Sequence, residues 1–359
     1  MSPPCSYWEI LLWIAASTLS FTLFSTAISL SFLVTPTPLL FFLFFLVHFV
    51  FFNLPFLDWF FTFLCKVIYN NTILAADKIG IPHAQPLYNQ NGPVEAILNG
   101  LNFGSPQATI MSSGQSYQSL NQQLRQVLDA IQLLRLRLGQ HATRHFIQSS
   151  LFYLSFGEVD FINLYLLNST EGMYGGEEFA RLLVSQMVIA IRNLQEAGAR
   201  KIVCMGILPL GCTPRVLSQW RDSPAATFDE KGCVKEMNEL VGKYNKVMGE
   251  EMVKLNAEFG DAQMVFCDAY KGMMEIIGNP TKYGFKESRS ACCGVGWNNA
   301  SVVGCVAMEI ACREVRRYVW WDLYNPTAAV NSLLADSAWR NQPLSTLCHP
   351  SNIQDLLLT

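Results

Sequence analysis

The sequence predicts an α/β fold: a parallel sheet covered by helices on both faces, preceded by a hydrophobic N-terminal segment. Two observations carry this expectation. Beyond about residue 70, apolar runs of strand length alternate with amphipathic helical stripes, which is the pattern of successive βα units. Ahead of them, no Asp, Glu, Lys or Arg occurs from Ile10 to Leu57. In order, SYQSLNQQLRQVLDAIQLLRLRLG places Leu120, Leu124, Val127, Leu128, Ile131 and Leu134 on one helical stripe that closes at Gly139. FIQSSLFYLSFG, residues 146–157, reads as a buried strand with a glycine at its end. EEFARLLVSQMVIAIRNLQEAG returns to the helical period through Leu183, Met187, Ile191 and Leu194, and Gly198 stops it. KIVCMGILPLG is the next strand, CVKEMNELVGKYNKVMGEEMVKLNAEFG a third helix, AQMVFCDAY a third strand and YVWWD a fourth.

Composition narrows the partners. The chain has 359 residues, a net charge of -3 and a pI near 6.0, so no basic field points to nucleic acid. Charged residues make 15% against 51% hydrophobic, which is apolar enough to place part of the chain in a membrane. The excess lies in residues 10–57. Ile10 to Val34 exceeds the roughly 20 residues that cross a bilayer. Thr35-Pro36-Thr37-Pro38 interrupts it, and LLFFLFFLVHFVFFNLPFL follows as a second candidate span. Residues 1–66 are therefore a candidate transmembrane hairpin, with a single span as the alternative. A cleaved signal peptide fits poorly, because the run has no cationic flank and outlasts an apolar core of about 7–15 residues. The same Ser/Phe/Leu/Thr-rich stretch, with no amphipathic period, also fits translated non-coding DNA in a mis-assembled gene.

In a parallel α/β sheet, chemistry gathers at the C-terminal ends of strands. Those ends are FGEVD, LPLGC, CDAY and WDLYN. Asp322 at the end of an apolar strand, followed three residues on by Asn325, has the layout of a catalytic Asp-His pair with an amide in the histidine's seat. Glu158 and Asp160 are neighbouring carboxylates at another strand end, suited to acid/base work or to loop capping. Ser105, after Gly104, is a conceivable nucleophile and equally a turn residue, and no G-x-S-x-G elbow exists. His48, His83, His141, His145 and His349 read as structural or solvated. Cysteine and histidine spacing matches no metal site, so no metal is expected.

LNFGSPQATI, LFYLSFGEVDFINLYL, KIVCMGILPLGCTPR, NPTKYGFKESRSACCGVG and YVWWDLYNPT occur in this order. Together they resemble plant GDSL esterase/lipases of the SGNH hydrolase superfamily, from about Asn71 to Trp339. The resemblance implies a flavodoxin-like three-layer α/β/α sandwich over residues 71–345, with 346–359 as a C-terminal tail. It also implies secretion and hydrolysis of lipid or other acyl esters without a cofactor. The family mechanism uses a serine in a G-D-S-L block, a Gly and an Asn as oxyanion donors, and a D-x-x-H pair. No G-D-S occurs here. The donor glycine falls at Pro106 or Gln107, and proline has no N–H to donate. Within Gly157-Glu158-Val159-Asp160 the donor asparagine falls at Val159. The last block keeps Asp322 and replaces its histidine with Asn325, whose amide accepts no proton near neutral pH. In the family's strand order, 2-1-3-4-5, the missing block supplies a central strand. Its loss is expected to expose the edge of the strand at 149–156, unless part of Leu39 to Phe52 replaces it.

The expected function is that of a GDSL esterase/lipase-like protein with impaired catalysis, in which Asn325 hydrogen-bonds Asp322 and keeps the loop shaped. The alternatives are a non-catalytic relative that binds a lipid, an acyl ligand or a partner protein in the old cleft, and a truncated gene product. Expected contacts are a lipid or acyl-ester ligand and a membrane through residues 10–57. Eleven cysteines occur, of which Cys212, Cys233, Cys292, Cys293, Cys305 and Cys312 are in family-like positions, and disulfides in an oxidising compartment are the better reading, with pairing open. N-x-S/T acceptors at Asn70, Asn168 and Asn299 are compatible with the secretory path. The protein is expected to be membrane-associated, in the secretory pathway or extracellular.

Overall fold

The computed structural model of the protein describes residues 85–86, 97–105, 108–111, 118–166, 176–224 and 226–358, with only the backbone at 85–86 and 164–166. The predicted hairpin of residues 1–66 and the segment Leu39 to Phe52 lie outside the described residues, as do His48, His83, Asn70 and Asn168. No helix among the described residues is long and apolar enough to cross a membrane.

A short parallel pair, β1 (Gln85–Pro86) with β2 (Leu101–Asn102), opens the described fold. Helix α1 (Leu120–Leu138) starts at Ser119, whose hydroxyl accepts from Gln122 N (3.4 Å) while the Gln122 side chain accepts from Ser119 N (2.7 Å). This reciprocal pair satisfies two otherwise unbonded amides of the first turn. A second helix, α2 (Gln140–Ser149), follows at once, and the strand β3 (Leu151–Ser155) comes after it. The strand expected over 146–157 is thus shorter, and its first residues are helical. Thr143 and Ile147, one turn apart, are the buried positions of α2. Ser149 and Ser150 then end it by donating their hydroxyls to the Phe146 carbonyl, at 2.9 and 2.7 Å. His141 and His145 lie on the exposed side of α2.

The chain continues through α3 (Gly176–Ala197), β4 (Lys201–Met205), α4 (Pro214–Trp220), α5 (Lys235–Glu258), β5 (Gln263–Cys267) and α6 (Ala269–Gly278). It ends with β6 (Glu287–Ala291), β7 (Tyr318–Trp320), α7 (Ala328–Arg340), β8 (Cys348–His349) and α8 (Ile353–Leu358). The main sheet has the order β3-β4-β5-β8, with β3, β4 and β5 parallel and in even register. Alternation in these strands divides the core. Leu154, Ile202, Cys204, Met264 and Phe266 pack with Leu183, Met187, Val241 and Tyr244 of α3 and α5. Val203, Val265 and Cys267 pack on the other face with Ala338, Leu347, Ile353 and Leu356. A helix layer on each face of a period-two sheet is the expected α/β/α arrangement.

Three departures from the expected sheet stand out. It is mixed rather than parallel, because β8 runs antiparallel to β5. The Cys267–Cys348 disulfide holds Cys348 opposite the last residue of β5, so the chain enters at the strand-end side and must run back down. Residues 346–359, set apart above as a tail, therefore contribute β8 and α8 to the second layer. The fourth predicted strand, YVWWD, is β7, and it pairs with β6 in a separate two-stranded sheet. Finally, β3 has no strand on its outer side among the described residues, and its Leu151, Phe152 and Tyr153 are only half-buried; whether part of Leu39 to Phe52 pairs there falls outside the described residues.

Candidate active site

Two strand ends meet in the fold. Gly157, at φ +107, leaves β3 in the left-handed region, and a Cβ there would stand 2.7 Å from Ile207 Cδ1. Only glycine lets the chain turn so sharply into the helical turn Glu158–Asp160. Asp160 is fully buried and accepts two backbone N–H groups, from Ile110 (2.8 Å, to Oδ2) and Met111 (2.9 Å, to Oδ1). Burial pushes its carboxyl up to about 6 against the pull of those amides. Its place is structural: it ties the loop before α1 to the end of β3. Val159, between the two carboxylates, is half-buried, and its side chain has no donor to offer.

Beyond β7, Asp322 Oδ1 accepts from Tyr324 N (3.1 Å) and Asn325 N (2.8 Å). The Asn325 Nδ2 donates to both carboxylate oxygens at 3.0 Å. A carboxylate can only accept when ionised, so the amide nitrogen must face it and the amide oxygen must face away. Asn325 thus satisfies Asp322 through its amide N–H and has no second nitrogen to take up a proton. Glu158 stands near this pair. Its carboxyl is pushed up to about 7, by burial first and then by the negative charge of Asp322.

Two further residues close the cluster that reading the sequence had not singled out. Tyr324 is a half-buried phenol pushed above its ordinary range by burial, against the opposing pull of Arg215. Arg215, on α4, donates its backbone N–H to Leu323 O (3.1 Å) and its guanidinium to Ala300 O and Ser301 O, both at 2.9 Å. The Thr213-Pro214-Arg215 triplet that opens α4 was the available signal. The other strand ends serve structure: Asp268 of CDAY caps α6 by accepting from Lys271 N at 3.0 Å. Ser105 sits in a turn closed by Ala108 N on its carbonyl (3.1 Å), and no hydrogen bond links it to Glu158, Asp322 or Asn325 among the described residues. Pro106 and Gln107 lie outside the described residues. No group of three or more metal-ligating side chains occurs among those described.

The ordered blocks, the three-layer sheet and the Asp322 loop agree with a match of residues 71–338 to the GDSL-like lipase/acylhydrolase family. The chain belongs to that family. It is 31% identical to GDSL esterase/lipase At1g71250 of Arabidopsis thaliana over 292 residues, covering 79% of this chain and 76% of the relative. Against GDSL esterase/lipase 7 of the same plant it is 28% identical over 290 residues, covering 78% of each. Among the described residues the disulfides are Cys212–Cys233, Cys292–Cys312, Cys293–Cys305 and Cys267–Cys348. The last joins Cys267 and Cys348, which were not among the six cysteines singled out in the sequence. Four bridges suit the secretory pathway or the extracellular space. Cys204 is free and buried, and burial pushes its thiol up to about 12, so it is inert.

The Glu158 environment gives a signed pH prediction. A carboxyl raised from 4.5 to about 7 contributes stability that is whole below about pH 4.5 and lost as pH rises through about 7. Glu158→Gln removes that loss. Thermal melts should show the variant more stable than the parent at pH 8, on the order of 1–3 kcal/mol, with the difference gone near pH 4. Parallel pH profiles for the two proteins would show that Glu158 is not desolvated.

Proposed function

We propose that this GDSL-family protein keeps the acyl-ester cleft of its relatives and holds a lipid or acyl ligand there without turning it over. The observation that carries the reading is the Asn325 amide, bonded to both oxygens of Asp322 at 3.0 Å. It reproduces the orienting half of an Asp-His pair and omits the base. Val159 at the donor position and the absence of any G-D-S in the chain point the same way. Losing one oxyanion donor alone lowers turnover by about 10²–10³, and losing the nucleophile ends the covalent route.

Hydrolysis of short- and long-chain p-nitrophenyl esters, with Asp322→Ala as control, tests it. The expected rate equals that of the control, while long-chain esters or their acids raise the melting temperature. Turnover that collapses in Asp322→Ala, or covalent labelling by a serine-reactive fluorophosphonate, would overturn the impaired reading.

A further inference from the structure

An open cleft of about 310 Å³, whose described lining includes neither Asp322 nor Asn325, is formed by Leu217, Arg221, Phe228, Gly232, Arg289, Trp297 and Asn298. Its walls are preformed. The Cys212–Cys233 disulfide closes the turn that carries Phe228 and Gly232, and Cys293–Cys305 closes the loop that carries Trp297. Ser218 of α4 donates to Trp297 O at 3.0 Å and pins that loop to the helix. Two large rings nevertheless stay half in water, Phe228 at 45% exposure and Trp297 at 42%. Leaving such area wet in a stapled concavity has the character of a binding site.

Its charge is one-sided. Among the described residues, two guanidinium groups and no acidic side chain line the cleft. The Arg221 guanidinium lies over the Trp297 ring, 5.2 Å from its centroid. Its only acidic neighbour among the described residues is Asp222, 3.5 Å from Nε and with an 89% exposed side chain, a pairing too solvated to neutralise it. Arg289 is admitted by Gly232, at φ +74, where a Cβ would stand 1.4 Å from its Nη2. Apart from a long contact of Nη2 to Lys231 O (3.4 Å), its guanidinium donors have no protein partner among the described residues.

We propose that this cleft is a second ligand site, distinct from the Asp322 cluster, which binds a small aromatic carboxylate. Its ring would lie against Phe228 and Trp297, and its carboxylate would accept from Arg221 and Arg289. Guanidinium groups match carboxylates with two parallel N–H bonds, and exposed rings favour a flat partner over an aliphatic chain. Titration calorimetry with naphthoate tests this on the intact protein. One-to-one binding is expected, weakened by added salt and about tenfold or more in Arg221→Gln/Arg289→Gln, and unchanged in Asp322→Ala. The neutral naphthamide, which needs no variant, should bind at least about tenfold more weakly than naphthoate. Equal binding of naphthamide, tighter binding of octanoate, no naphthoate binding, or loss of it in Asp322→Ala would each overturn the proposal. Because the readout is naphthoate binding, its failure is separable from the ester assay.

Discussion

Replacing Cys267 and Cys348 together by alanine is expected to lower the unfolding free energy by about 4–5 kcal/mol. This bridge spans 81 residues, whereas the others span 21, 20 and 12. Loop-closure entropy in the unfolded chain grows with the logarithm of that span, so a loop of about 20 residues contributes nearer 3 kcal/mol. The long bridge also seats β8 on β5 and brings α8 onto the sheet, where Leu347, Ile353 and Leu356 are buried with Val203 and Val265. Urea unfolding of this variant beside Cys292→Ala/Cys312→Ala is the measurement. A smaller loss from the long bridge would mean that packing alone holds the last layer in place.

Asp160→Ala should destabilise the protein by about 2–4 kcal/mol, because it strands the N–H groups of Ile110 and Met111, the first of them fully buried. Asp160→Asn should lose less, since one amide oxygen can still accept. The effect should be local as well as global. Thr109 O accepts from Leu120 N at 2.8 Å, so the tether at Asp160 runs on to the start of α1. Hydrogen exchange at Ile110, Met111 and Leu120 is therefore expected to quicken in the alanine variant before the sheet amides of β4 and β5 do. Exchange unchanged at these three amides would show that the loop is held by something other than this carboxylate.

The site was partly legible. Asp322 and its amide neighbour three residues on could be picked out together because the two sit within one four-residue block. Glu158 and Asp160 stood out as a pair, but their separate roles did not. Asp160 is claimed by amides 50 and 49 positions away, while Glu158 faces the carboxylate of Asp322, far along the chain. Arg215 and Tyr324 escaped for the same reason: each matters through a neighbour that only the folded chain supplies.

The sequence by itself determined the family, the α1, α3 and α5 helices and the apolar strands at 201–205 and 263–267. Helical stripes and short apolar runs are local records of which residues are buried. Tertiary structure decided what depends on distant partners. The apolar run at 146–157 divides into a helix end and a short strand because serine hydroxyls stop α2. The strand ending in Asp322 joins β6 rather than the main sheet, and the sheet's last strand comes instead from the C-terminal residues, turned antiparallel by a disulfide to Cys267. Eleven cysteines allow many pairings, and only the distance between backbones in the fold selects the four found among the described residues.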